Sequence, residues 1–268
     1  MPLHIIVCVK QVPDPEAPAS SFRVDEAAKK VVAAAGVAPV ISQFDALAVE
    51  AALRIKDAAA DTKITVISLG PEGARDVIKH SLAMGADEGV LLTDSAFVGD
   101  SYTTALAISK AIEKIADYNL VLCGRQATDW DAGVVGYGIA EMLGLPSVSL
   151  AKSVVIQDSK VVVERVLMEG YDTVEAPLPA LVTVSNELGE PRYPKLQQIM
   201  LAARKQVTIW GAGDLDLDAS SVGAGAVRLN MERLFQPVSE VECEIVEGET
   251  PEETASKLAQ RLREQKVI

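Results

Sequence analysis

Short runs of β-branched and aliphatic residues alternate with longer amphipathic segments through the first half of this 268-residue chain. That alternation constrains the fold more than any single motif, because strand-and-helix repeats wind into a parallel sheet covered by helices. His4 to Val9 is apolar enough to be a strand buried on both faces. Lys63 to Leu69, Gly89 to Leu92 and Leu120 to Cys123 read as further strands. Between them, Phe44 to Ala59 places Leu47, Ala51 and Leu53 near one helical face and leaves Glu50, Arg54 and Lys56 for solvent. Glu72 to Met84 and Ser101 to Ile115 follow the same pattern.

After Pro146 the pattern changes. Val154 to Ile156, Val161 to Met168, Thr173 to Glu175 and Leu181 to Val184 are strand-like pieces without helices between them, and Asp158-Ser159 stands where a hairpin turn belongs. Asn186 to Lys195 carries two prolines and a glycine and reads as a loop, with a short helix expected over Leu196 to Lys205. Gly211 to Gly225, rich in Gly, Ala, Asp and Ser, reads as a linker. Thr250-Pro251-Glu252-Glu253 has the chemistry of a helix start, which predicts a terminal helix over Thr250 to Gln265 that needs a surface to pack on. The expected architecture is α/β: a doubly wound, mostly parallel, Rossmann-like sheet with an added β-rich region over residues 1–205. A linker and C-terminal arm over 206–268 complete it.

Composition removes several function classes. The 38 acidic residues against 25 basic ones give a formal charge of −13, which argues against a nucleic-acid partner. Although 49% of residues are apolar, no stretch approaches the roughly 20 uninterrupted apolar residues of a membrane-spanning helix. No basic leader precedes Leu3 to Val9, so a cytoplasmic location is expected. Cys8, Cys123 and Cys243 form no CxxC or Cys/His cluster, so neither a metal site nor a disulfide framework is expected. His4 and His80 lack neighbours spaced for a triad, and structural roles are expected for them.

The most informative stretch is Leu120 to Gly144, which reads strand, polar loop, then glycine-punctuated helix start. Such a loop lies at the carboxyl end of a parallel strand, where open α/β sheets bind ligands. Gly124 and Gly133 permit close backbone approach, and helix-start amides can receive a phosphate. Neither GxGxxG nor GxxxxGK[ST] occurs, so nucleotide binding and a loop that merely caps the sheet both stay open on this pattern. Asp129 and Asp131 could pair on a metal or share a proton, but carboxylates before a helix are expected to cap it. Trp130 suits either packing or stacking on a ring.

The chain also carries Val7-Cys-Val-Lys-Gln-Val-Pro-Asp14, Phe44-Asp-Ala-Leu-Ala-Val-Glu-Ala-Ala-Leu-Arg54, Ser81-Leu-Ala-Met-Gly-Ala-Asp87 and Glu190-Pro-Arg-Tyr-Pro-Lys-Leu-Gln-Gln-Ile-Met200. In this order, and as far as about Lys205, they resemble the electron-transfer flavoprotein β family. The resemblance implies an adenine-nucleotide-binding subunit that holds AMP, or a second FAD where the heterodimer bifurcates electrons, with the electron-carrying FAD mainly on the α subunit. Carried over by motif, the cofactor-binding pocket comprises Cys8, Ser42, Gln43, Phe44, Asp45 and Leu69, together with Gly124, Arg125, Gln126, Ala127, Thr128, Asp129, Trp130, Asp131, Ala132, Gly133, Val134 and Val135. The Gly-Arg-Gln-Ala run and the short Asp-x-Asp loop resemble bifurcating relatives and favour a second FAD.

Relatives commonly have Asn-Pro-Phe in place of Ser42-Gln43-Phe44, polar residues in place of Ala132 to Val135, and Arg-Glu in place of Arg165-Val166. Phosphate recognition is therefore expected to rest on amides and Arg125. The resemblance further implies a partner-recognition loop within 186–200, with Tyr193, Leu196, Ile199 and Met200 docking on dehydrogenases. On pattern alone Leu196 could equally start a buried helical face with Ile199 and Met200. The expected function is an electron-carrier subunit rather than an enzyme, joined to an α subunit and passing electrons between dehydrogenases and a downstream acceptor. One alternative is an ATP-using enzyme of the same architecture, against which Val9-Lys10-Gln11-Val12-Pro13 replaces the SGGxDS loop. Another is a nucleotide-sensing protein resembling universal stress proteins, which leaves the region after Pro146 unexplained.

Overall fold

The computed structural model describes residues 2–237 and 243–268, so residues 238–242 of the expected C-terminal arm lie outside the described residues. In chain order the elements begin with β1 (Leu3–Cys8), β2 (Gln11–Val12), β3 (Phe22–Asp25), β4 (Lys30–Ala33), β5 (Val40–Ile41), α1 (Gln43–Ala58) and β6 (Thr62–Leu69). They continue through α2 (Arg75–Met84), β7 (Glu88–Leu92), α3 (Ser101–Ile115), β8 (Leu120–Gly124), α4 (Val135–Leu143) and β9 (Ser147–Gln157). The remainder are β10 (Lys160–Leu167), β11 (Gly170–Pro177), β12 (Ala180–Val184), α5 (Leu196–Arg204), β13 (Thr208–Trp210), α6 (Ala219–Val222) and α7 (Pro251–Glu264). The chain divides into two compact units, one of residues up to 23 with 31–232, the other of 24–30 with the described residues beyond 232.

The first unit is built on a nine-stranded sheet in the order β11-β10-β9-β12-β8-β1-β6-β7-β13. Every pair from β9 to β13 is parallel, while β10 and β11 add an antiparallel edge. The apolar run of β1 explains its central place. Ile5 and Val7 enter one core with α1 and α2, while Ile6 and Cys8 enter a second with α3 and α4. Leu120 and Leu122 of β8 join the first core and Val121 and Cys123 the second, so the pleat alternates between two helical layers.

Strand order locates the functional end. From β1 the chain steps outward to β6 and β7, then returns across the sheet to lay β8 on the other flank of β1. Loops after β1 and β8 therefore diverge, leaving the crevice of a doubly wound sheet at their carboxyl ends. The β-rich region is a meander whose β9–β10 turn uses Asp158 at φ 54°.

The sheet continues past Lys205, where the sequence boundary was drawn, because β13 pairs in parallel with β7 and Trp210 packs against the second core. Gly211 to Gly225 is correspondingly not a free linker. Ala212, Leu215 and Val222 are buried, the first and last against Ala107 and neighbouring apolar groups. Scattered single apolar residues make this cover, which is why composition hid it.

In the second unit α7 starts as predicted, with the Thr250 hydroxyl accepting from the Glu253 amide at 3.2 Å and Pro251 in the first turn. None of its residues is buried. Among the described residues no helix is long and apolar enough to cross a membrane.

Ending the chain after Glu232 should leave the melting temperature of the sheet unit within a few degrees of the full chain. Ending it after Lys205 removes β13, Leu215 and Val222, each buried side chain being worth about 1.5–3 kcal/mol, so melting should fall by roughly 10 °C. Circular dichroism melts of the two truncations separate these outcomes; equal stability would return 211–225 to the status of a linker.

Candidate functional site

At the crevice, the first turn of α1 drops between the ends of β1 and β8. Asp45 accepts from the Lys10 amide at 2.9 Å through Oδ2 and from the Gly124 amide at 3.1 Å through Oδ1. The approach is so close that a Cβ on Gly124 would stand 2.5 Å from Asp45 Oδ1 and 2.8 Å from the Phe44 carbonyl carbon, and only glycine fits. Burial pushes the Asp45 carboxyl up to about 7, against the two amide hydrogen bonds and the Lys10 charge that favour its ionised form. Below it, Cys8 and Cys123 are register partners on β1 and β8. A hydrogen bond with Cys8, together with burial, raises the Cys123 thiol well above its usual range.

The loop after β8 is held by one polar tie to the segment after β1 and one within itself. Lys10 Nζ meets the Asp129 carboxylate at 2.7 and 2.8 Å, and Gln126 Nε2 donates to Asp131 at 3.0 Å. Asp129 and Asp131 are thus loop fasteners rather than the expected caps, since α4 starts at Val134-Val135 without any side-chain cap. Asp131 and Gly133 have positive φ, 49° and 63°, which turns the loop back toward α4. Arg125 lies 5.0 Å from the Phe44 ring centroid and donates to Ser185 Oγ at 3.3 Å.

Whether a nucleotide fits here can be judged from what the site leaves unsatisfied. Among the described residues, buried side-chain polar atoms without a partner are Ser42 Oγ, Ser68 Oγ, Arg75 Nε, Arg125 Nε and Thr128 Oγ1. Ser42 is the residue before α1, Ser68 the penultimate residue of β6, Arg75 the first of α2, and Arg125 and Thr128 belong to the β8 loop. Buried polar groups are normally paired, so the unpaired donors of Ser42, Arg125 and Thr128, before α1 and in the loop after β8, leave capacity for an acceptor-rich ligand. The first turns of α1 and α4 add amides that no side chain caps, the arrangement that receives phosphate. The donor set suits an acceptor-rich, phosphate-bearing ligand.

A family model described as "Electron transfer flavoprotein domain" matches residues 29–215. The chain is 41% identical over 268 residues to an electron transfer flavoprotein subunit beta of Thermoanaerobacterium thermosaccharolyticum, covering 99% of this chain and 100% of the relative. It is 37% identical over 267 residues to the caffeyl-CoA reductase-Etf complex subunit CarD of Acetobacterium woodii, again covering 99% and 100%. The chain belongs to the electron-transfer flavoprotein β-subunit family. The corresponding subunit of Megasphaera elsdenii is 36% identical over 275 residues, with 99% and 100% coverage.

In this family member Cys8, Ser42 to Asp45 and Gly124 to Val135 converge on one crevice, and Leu69 ends β6 two strands from β8. Trp130, Asp131, Ala132 and Val134 lie exposed along its outer rim. Tyr193, Leu196, Ile199 and Met200 form a separate exposed group on the 186–195 loop and α5. With Leu196 74% exposed, it does not start a buried face; Ala202 is the buried residue of α5. Sequence reasoning assigned no role to Lys10, Ser68, Arg75 or Ser185. Lys10 stood inside a quoted motif, but nothing local announces a partner 119 residues away.

Because Asp45 holds its proton more tightly folded than unfolded, its contribution to stability is complete below its ordinary value of 3.8 and is lost as pH rises to about 7. The stability margin of the natural chain over Asp45→Asn should shrink by up to about 1.4 kcal/mol per pH unit over that rise. Thermal melts of both proteins across this range at fixed ionic strength check the slope; a flat or widening margin would mean that Asp45 is ionised throughout.

Proposed function

We propose that this chain is the β subunit of a heterodimeric electron-transfer flavoprotein and that its crevice holds an adenine nucleotide, a second FAD in preference to AMP. The observation that carries the reading is the gathering of the unpaired donors of Ser42, Arg125 and Thr128 around the uncapped starts of α1 and α4. The choice of FAD rests on the Gly124-Arg125-Gln126-Ala127 run and the Asp129-x-Asp131 loop. Bound FAD supplies the redox chemistry. Within the chain, helix-start amides bind phosphate oxygens, and Arg125, steadied by Phe44 and Ser185, adds a charged donor. The Lys10–Asp129 pair keeps the β8 loop in place, and Asp45 sets its distance from α1. On this reading the subunit works in the cytoplasm, electron bifurcation by the heterodimer included.

The arm is proposed to pack on the α subunit, since Leu258, Val267 and Ile268 are exposed on and after a helix that buries nothing. The 186–200 segment is proposed as the dock for a flavin dehydrogenase, with Tyr193 and Leu196 foremost at 93% and 74% exposure. Full-length similarity to a subunit of a caffeyl-CoA reductase complex points to a CoA-thioester oxidoreductase as the class of partner.

Nucleotides extracted from the co-expressed heterodimer should give two flavins per dimer. One flavin with stoichiometric AMP would overturn the choice of a second FAD, and absence of any nucleotide beyond one flavin would remove the pocket assignment. Leu196→Ala should slow flavin reduction by the dehydrogenase roughly tenfold or more, because burying a leucine at a contact is worth about 1.5–3 kcal/mol. Stopped-flow reduction beside a melting curve is the measurement; a large drop in melting temperature without a loss of partner affinity would make Leu196 a structural residue.

A further inference from the structure

Glu50 is the one acid in the middle of α1, and it is only 5% exposed although helical periodicity assigned it to solvent. An isolated carboxylate so placed would be strongly destabilising unless fully paired. Arg54, one turn on, donates Nε to Glu50 Oε1 at 3.0 Å. Among the described residues every other hydrogen bond to its side chain comes from Arg192, in the middle of the 186–195 loop. Its backbone amide reaches Oε2 at 3.1 Å, its Nε reaches Oε2 at 2.8 Å and its Nη2 reaches Oε1 at 3.2 Å. The outer edge of the same guanidinium meets Asp57, two turns along α1, at 2.7 and 3.5 Å. Arg54 also donates Nη1 to the Leu188 carbonyl at 2.9 Å. Burial works against the charge on Glu50, yet the Arg192 and Arg54 hydrogen bonds win and hold its carboxyl below the usual range.

The loop gripped in this way has little structure of its own beyond a single turn at Asn186–Leu188. Pro191 and Pro194 flank the gripped residue closely and fix φ on either side of Tyr193. Once Arg192 is held by both its main chain and its side chain, the path to Lys195 and the start of α5 has few remaining degrees of freedom. We propose that the Glu50–Arg192 pair, completed by Asp57 and Arg54, is the positioning device of the partner dock, holding Tyr193 and Leu196 outward in a binding-ready arrangement. The inference rests on the reading of 186–200 as the docking segment. A loop ordered in advance loses less freedom on association, so the clamp acts on partner affinity without touching the partner. Lysine would keep the charge and the backbone bond at 192, but a single ammonium could not replace the two guanidinium bonds to Glu50 together with those to Asp57.

The test uses the purified heterodimer, with a purified acyl-CoA dehydrogenase and its thioester substrate as electron donor. Arg192→Lys should raise the KM for the heterodimer about tenfold with kcat within about twofold, and Glu50→Gln should do so at least as strongly. Asp57→Asn should have a smaller effect, because its carboxylate is largely exposed. The nucleotide extracted per heterodimer should not change in any of the three. Hydrogen exchange at the amides of 187–195 should quicken in Arg192→Lys and Glu50→Gln but not in Leu196→Ala, which removes the contact and leaves the clamp. The inference is overturned if Leu196→Ala raises KM while Arg192→Lys does not, or if the clamp variants lower melting temperature and kcat without moving KM. Should Glu50→Gln fail to fold, Arg192→Lys decides alone, since it leaves α1 intact. A natural heterodimer that accepts no electrons from the donor would instead overturn the docking reading itself, and the inference with it.

Discussion

Asp45 accepts hydrogen bonds from the amides of Lys10 and Gly124, and so ties the first turn of α1 to the strand ends on both sides of the switch point. Strand order alone would open a crevice there; the carboxylate determines how wide it is. Gly124 lets the helix approach until a Cβ would collide with main-chain atoms, and Asp45 then occupies the gap with both oxygens engaged. The loop leaving β8 has to start from that point. Its return toward α4 follows from the positive φ of Asp131 and Gly133 and from the fasteners Lys10–Asp129 and Gln126–Asp131. Loosening the carboxylate would move every donor that the pocket presents.

A chain with formal charge −13 can still receive an anion, because the attraction is local. Lys10 is neutralised by Asp129, so the amide dipoles at the starts of α1 and α4 and the guanidinium of Arg125 carry the positive potential around the loop after β8. The Arg125 guanidinium is partly shielded by the Phe44 ring and hydrogen-bonded to Ser185, so it keeps its orientation without a counter-charge in contact. That arrangement suits recognition by position more than by total charge.

The doubly wound sheet was legible because its signal is periodic. β1, β6, β7 and β8 are short aliphatic runs, and α1 and α3 emerge within one residue of their expected limits. The turn of the loop after β8 was legible as a motif, since its backbone path requires glycine at Gly124, and Gly133 takes a positive φ. Two kinds of feature escaped. The first was cover made by isolated apolar residues in a polar stretch, as with Leu215 and Val222, where no period exists to be read. The second was pairing across the chain. Glu50 looked solvent-facing because its partner lies 142 residues away, and Asp129 looked like a cap because Lys10 lies 119 residues away. Such ties are properties of the topology, which brings the loop after β12 and the loop after β1 against elements that the local sequence does not name.

α1 is the element on which both candidate surfaces depend. Its N-cap and first turn carry Ser42 to Asp45 at the crevice, and its middle and last turns carry Glu50, Arg54 and Asp57 against the 186–195 loop. At about 1.5 Å of rise per residue, Asp45 and Glu50 are separated by roughly 7.5 Å along the axis, and Asp57 lies only about 10 Å further. The buried face of the helix is packed between β1, β8 and α2 by Leu47, Ala51 and Leu53, so the separation is rigid. A carrier must bring a partner's redox group to a repeatable distance from its own, yet release that partner quickly. Under the proposed function, a pocket at the start of one buried helix and a docking loop held by its middle and last turns meet the first demand through packing. Small exposed anchors on a pre-shaped loop meet the second, because partner affinity can stay low while the geometry of the encounter stays fixed.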